Sequence, residues 1–143
     1  SFIPDHGTQE VAVTQMDVCI DEKNCYWPQI TDYIQLYEEN PDAIFILNMR
    51  DPVDILKSMK KWANYDKRMI KYNPELFEGL IGTNDQKIIQ LIQIHFYNVI
   101  HFFQKKKEAK FLVYHIITDK IEKLNKYIDT KDLEFPTVNK GKK

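Results

Sequence analysis

The chain has 143 residues, 43% of them apolar and 29% charged, and a formal net charge of −1. That length and apolar share suit one globular domain with a sizeable core. The balanced charge excludes a global pull toward nucleic acid or an anionic lipid surface, and no apolar run approaches the roughly 20 residues that a bilayer-spanning helix needs.

Residues 1–10 read as loop, and Val11 to Met16 alternates weakly, as a short strand would. Asp21 to Pro28 is a polar loop with Tyr26 and Trp27 as anchors. A helix then starts at Pro28 or Gln29 and runs to about Glu39, with Ile30, Tyr33, Ile34 and Tyr37 at helical spacing; Asn40-Pro41-Asp42 ends it. Ile44 to Leu47 is short, apolar and rich in β-formers, the signature of a buried strand. After Asn48-Met49-Arg50, Asp51 stands where an N-cap belongs and Pro52 at the first helical position. The helix they open continues through Val53, Ile55, Leu56 and Met59 to about Ala63.

Asn64 to Thr83 is less regular. Met69, Ile70 and Tyr72 predict a short helix stopped by Asn73-Pro74, Glu75 to Leu80 predicts another, and Gly79, Gly82 and Asn84 mark turns. The longest helix runs from about Asn84 to Lys105, with Ile88, Ile92, Phe96, Val99 and Phe103 as its apolar stripe and Lys105 to Lys107 complementing its dipole. Phe111 to His115 is the next buried strand, and Thr118 or Asp119 caps a helix through Ile121, Leu124 and Ile128. Strands alternating with helices predict an α/β fold with a parallel sheet covered by helices on both faces. The single domain spans 1–143, with 1–13 and 140–143 as loop or tail.

Arg50 stands at the carboxyl end of a predicted strand, and Ser58 about two turns into the helix that follows. The crevice at such strand ends is where open α/β sheets bind ligands. A guanidinium fork and a hydroxyl converging there suit a phosphate. The alternative is that Arg50 is only an ion-pair partner for the neighbouring Asp51.

Other chemistry-bearing residues are more scattered. Cys19 and Cys25 have poor zinc spacing, which leaves a local disulfide or two free thiols. No His, Cys, Asp and Glu set has convincing metal spacing. His95 lies beside the apolar stripe and reads as a packed core residue or a catalytic or acceptor-binding one; His101 and His115 read as structural or exposed. Trp62 packs in the core or stacks on a base. Lys57, Lys60 and Lys61 form a solvated face, or one of them neutralises a ligand. Asp17, after the weak strand, is a hydrogen-bonded loop residue or faces a site.

Arg50-Asp51-Pro52 after Phe45-Ile46-Leu47-Asn48, with Ser58 eight residues beyond the Arg, resembles the 3′-phosphate-binding segment of the sulfotransferases that use 3′-phosphoadenosine 5′-phosphosulfate (PAPS). Thr14 to Ile30 and Tyr37 to Asn48 resemble the lead-in to that segment, and Ser58 to Trp62 its helix. His95 to Phe103 resembles a later helix of the family, with Phe96 where Asn is usual. Lys110 to Ile116 with Lys120 to Leu124 resembles the last strand and helix, and Phe135-Pro136-Thr137-Val138-Asn139 the closing motif. The similarity covers roughly residues 14–140 in the family's order.

The resemblance implies a P-loop-type α/β fold and transfer of a sulfuryl group from PAPS to a hydroxyl or amine, on a glycan for example. It implies Arg50 and Ser58 as 3′-phosphate ligands, with no metal required. Trp62, which follows the helix carrying Ser58, would stack on the adenine unless it packs in the core. Lys140, in the basic stretch Asn139 to Lys143, would belong to a loop covering the nucleotide, unless that stretch is a tail. The family's 5′-phosphate loop, with its basic residue and Gly-Thr, has no good counterpart. Phe2 to Thr8 ends in Gly-Thr but lacks the basic residue and the glycine spacing. The expectation is therefore an N-terminally incomplete member of the fold: either part of an enzyme, or a catalytically inactive relative that binds or supports partners in an assembly. Such relatives occupy the Golgi lumen or the cytoplasm. An unrelated P-loop-like kinase is disfavoured, because the Arg50/Ser58 pattern serves a 3′-phosphate that ATP lacks.

Overall fold

The computed structural model describes residues 27–131 and the backbone of two short strands, β1 (Val18–Cys19) and β2 (Cys25–Tyr26). These two pair antiparallel with Cys19 directly opposite Cys25. That register holds paired Cα atoms about 4.5–5.5 Å apart, within the span a disulfide bridges. Asp17, Val11 to Met16, the Phe2 to Thr8 segment, the Phe135 to Asn139 motif and Lys140 lie outside the described residues.

The protein is a small α/β structure with a two-stranded parallel sheet and helices. Trp27, almost fully buried, anchors the start of α1 (Pro28–Thr31). The single helix expected from Pro28 to Glu39 is instead broken at Asp32, and α2 (Tyr33–Glu39) begins after it. The hydroxyl of Thr31 bonds both the Trp27 carbonyl and the Asp32 carboxylate. Short polar side chains compete in this way with the helical backbone ladder.

Strand β3 (Ile44–Met49) leads into α3 (Pro52–Lys61). The Asp51 carboxylate accepts from Val53 N–H at 2.8 Å, and Pro52 occupies the first turn, as the sequence predicts. The helix stops at Trp62 because Ala63 (φ 46) and Asn64 (φ 54) are left-handed. For alanine that conformation costs about 1–2 kcal/mol. The resulting tight reversal sends α4 (Tyr65–Tyr72) back against α3. Asn73 ends α4, and Pro74–Phe77 forms a 3-10 turn, shorter than the helix expected over Glu75 to Leu80.

Helix α5 (Asn84–Gln104) opens with a full capping box between Thr83 and Gln86. Gly82 (φ 100) precedes it; a Cβ there would collide with the Gln86 side chain that completes the box. Ile88 and its neighbours pack with Trp27, Leu56, Met69 and Phe77, joining α3, α4 and the 3-10 turn. One end of α5 thus holds the helical layer together, and the other holds the sheet. There Val99 and Phe103 pack on Leu47, Phe45 and Phe111, with Phe103 stacked on Phe111 at 4.3 Å between centroids.

Strand β4 (Lys110–His115) pairs parallel with β3 in the register Ile44↔Lys110 to Met49↔His115. One face of the pair lies on α5. The other is covered over β4, where Leu112 and Tyr114 are buried, but open over β3, where Ile44 and Ile46 are 39% and 37% exposed. The expected cover on both faces is therefore incomplete. The last predicted α-helix is instead a 3-10 helix, Ile121–Lys126. Asp119 does not cap it. Its carboxylate turns back to accept from His115 N–H at 2.8 Å and from Lys123 Nζ.

Candidate functional site

Arg50 lies immediately beyond β3, and its position follows from the local chain. The strand ends at Met49, and Asp51 and Pro52 start α3 two residues later. Ser58 lies on the same helix, and Arg50 Nη1 donates to Ser58 Oγ at 3.2 Å. The two residues that the spacing singles out are thus in contact. The alternative, an ion pair with Asp51, does not form: that carboxylate caps α3, and Arg50 makes no ion pair among the described residues. Arg50 Nε is buried without a hydrogen-bond partner. Ser58 Oγ accepts from the guanidinium, and among the described residues no acceptor takes its hydroxyl proton. The pair therefore offers hydrogen-bond donors, as an anion requires.

Arg50 and Ser58 line a cavity of about 560 Å³ between the end of the sheet, α3 and α4. Its size falls in the range of small-molecule sites. Ile55, Met59 and Ile116 make its wall partly apolar, Asn48 adds an amide, and Trp62 and Tyr65 add two aromatic rings. Trp62 is 66% exposed, so the core-packing alternative for this residue is ruled out; its indole borders the cavity. Arg68, one helical turn beyond Tyr65, also lines the cavity. Among the described residues no carboxylate does.

Arg50 is also a wall of a second, smaller cleft of about 380 Å³, bounded by Asp51, Pro52, Gln93, Phe96 and His115. His115 is half-buried at the strand end, and its Nδ1 accepts from the N–H groups of Ile117 and Thr118 at 3.3 Å each. In the neutral ring the proton therefore sits on Nε2. The structural reading of His115 holds in part, but its ring also borders this cleft.

The remaining candidates lie elsewhere. His95 packs edge-on against Tyr33, and burial holds its pKa below the ordinary value of 6.5; it lines neither cavity. His101 stacks on Tyr97 at the surface. Lys57 pairs with Asp54 and Lys60 with Asp85, and neither reaches the Arg50 cavity, so the solvated-face reading stands for both. Among the described residues no group of His, Cys, Asp and Glu could hold a metal ion, and no helix is long and apolar enough to cross a membrane.

Sequence reasoning missed Tyr65, Arg68, Gln93 and the cavity-lining part of His115. Gln93 and His115 reach the site only through the docking of α5 and β4. Tyr65 and Arg68 depend on the left-handed turn at Ala63-Asn64, for which Asn64 is the single sequence cue. Compared with protein-family models, curated proteins and solved structures, the chain matches none.

Proposed function

We propose that this chain is a sulfotransferase-like protein that binds a 3′-phosphoadenosine nucleotide, PAPS or its product PAP, with the 3′-phosphate on Arg50 and Ser58. The observation that carries the reading is the Arg50–Ser58 contact at the end of β3, opening on a cavity whose described lining residues include no carboxylate. A partly buried guanidinium without a counter-ion among the described residues favours a bound anion. The neighbouring rings of Trp62 and Tyr65 give a planar base an apolar surface to stack on. The wider P-loop-type sheet and the sulfotransferase assignment rest on the order of the sequence motifs.

In such a protein Arg50 and Ser58 hold the donor at the end remote from the reaction. Transfer of a sulfuryl group resembles phosphoryl transfer: the acceptor oxygen or nitrogen attacks sulfur, the bond to the 5′-phosphate breaks, and the acceptor's proton passes to a base. The protein's contribution is alignment and stabilisation of charge.

One observation favours the second reading, a binding or structural subunit without catalysis. Among the described residues, those lining the Arg50 cavity include no carboxylate or histidine that could act as a general base. Asp51 and His115, which line the smaller cleft beside Arg50, are already engaged by backbone N–H groups.

Titration of the chain with PAP, with ATP as control, tests the binding reading. Saturable binding that requires the 3′-phosphate and is weakened about thirty-fold in Arg50→Ala supports it, since about 2 kcal/mol is the scale of a lost charge-assisted contact. Equal affinities for wild type and variant refute it. Release of PAP from PAPS in the presence of hydroxyl or amine acceptors separates the enzyme from the subunit.

A further inference from the structure

The Arg50 cavity contains a second cation that no sequence motif indicates. The Arg68 guanidinium carbon lies 5.5 Å from the centroid of the Tyr65 ring, on the α4 wall of the cavity. Arg68 forms no ion pair among the described residues, and its Nε, like that of Arg50, is buried without a hydrogen-bond partner. Two arginines therefore line one cavity, and among the described residues no acidic side chain lines it with them. In a partly enclosed space this arrangement costs energy twice, through desolvation of each charge and through repulsion between them. A multiply charged anion reverses the sign of the second cost and supplies acceptors that offset the first. The chain also holds α4 in place through a left-handed alanine, so the wall carrying Arg68 is built at a conformational cost.

We infer that Arg68 is the second arm of an anion clamp: Arg50 and Ser58 grip a phosphate from the α3 side and Arg68 from the α4 side, so that the cavity selects a phosphomonoester dianion over a singly charged diester. The inference rests on the 3′-phosphate reading and adds a specificity-determining residue to it. A terminal phosphate carries between one and two negative charges near neutral pH, whereas a diester carries one. Two cations lining one cavity therefore reward the monoester more than a single cation does.

Calorimetric titration of the full chain with PAP, with PAP methylated on its 3′-phosphate, and with inorganic pyrophosphate tests the clamp. Wild type is expected to bind PAP at least about tenfold more tightly than the methyl ester, the scale of one charge-assisted contact. Arg68→Gln is expected to lose most of that preference by weakening PAP and leaving the methyl ester nearly unchanged. Arg68→Lys restores part of it, because it keeps the charge and loses the fork. The preference is a ratio within one protein, so a general loosening of the fold does not mimic its loss; if Arg68→Gln does not fold, Arg68→Lys carries the comparison. An unchanged preference in the Arg68 variants, with PAP binding still lost in Arg50→Ala, overturns the clamp and leaves the 3′-phosphate reading standing. Pyrophosphate binding that depends on both arginines, without PAP binding, overturns the nucleotide reading and keeps the clamp. Binding of neither anion overturns both.

Discussion

The two strands of the sheet end side by side, Met49 against His115, yet the segments that follow treat their polar groups in opposite ways. After β4 the chain closes on itself. Asp119 accepts from His115 N–H and Lys123 Nζ, the Tyr114 hydroxyl donates to the Asp119 carbonyl, and His115 Nδ1 takes two further N–H groups. After β3 the chain leaves as a helix. Asp51 is used by the helix cap, and among the described residues Arg50 bonds only the neutral hydroxyl of Ser58. One strand end has local polar closure; the other presents an unbalanced charge to a cavity. Stability favours the first arrangement, and an unbalanced charge of the second kind marks a candidate binding site.

The largest expected effect removes the platform that both ends share. Phe103→Ala takes away the ring stacked on Phe111 and packed on Phe45, and is expected to cost about 3–5 kcal/mol by chemical denaturation, as large-to-small core changes do. Both strand ends should loosen together. Retention of full stability would mean that α5 is not what holds them level.

The sharpest test of the contrast is a pair of substitutions. Arg50→Ala is expected to weaken PAP binding by about 2 kcal/mol and leave the melting temperature nearly unchanged. Asp119→Asn is expected to do the reverse, lowering the melting temperature and leaving affinity alone. The Lys123 side chain, with help from the His115 N–H, holds the Asp119 carboxyl below its ordinary pKa of 3.8. Its contribution is therefore present above that value and lost as pH falls through the lowered one. If both substitutions moved the same quantity, the division between the two ends would fail.

Asp51→Ala is expected to cost about 1 kcal/mol of stability through loss of the α3 cap. It should weaken binding only to the extent that α3 frays away from Arg50. Binding lost outright would place Asp51 in the site itself.

The smallest effect concerns pH. Burial lowers the His95 pKa from 6.5 in the folded protein, so between the two values the unfolded chain takes up a proton that the folded one refuses. The stability that burial of the neutral ring contributes is full above about pH 6.5 and declines as pH falls below it. Denaturation curves at two pH values on either side should show this loss in wild type and less of it in His95→Gln. Because His95 lines neither cavity, the affinity of Arg50→Ala relative to wild type should not change with it.

Much of the α3 end was legible in the chain. Cap, proline and apolar spacing lie within ten residues of one another, and such local rules place Arg50 and Ser58 one contact apart before any packing is considered. The long helix was legible for the same reason: the Thr83–Gln86 box and a sustained stripe leave little choice. The break at Asp32 and the 3-10 turn after β4 were not legible, because they turn on whether a side chain or the backbone wins a particular hydrogen bond.

By itself, then, the sequence determined the local units: the parallel strand segments, the capped helix that carries Ser58, and the donor pair at its start. Tertiary structure alone decided what that pair faces. The reversal at Ala63-Asn64 swings α4 across α3 and delivers Tyr65 and Arg68 to the cavity, and the docking of α5 and β4 brings Gln93 and His115 to the smaller cleft that also borders Arg50. Caps and apolar periods act over a few residues and can be read in order. A cavity is the space left between elements far apart in sequence, and its shape and charge depend on how those elements pack.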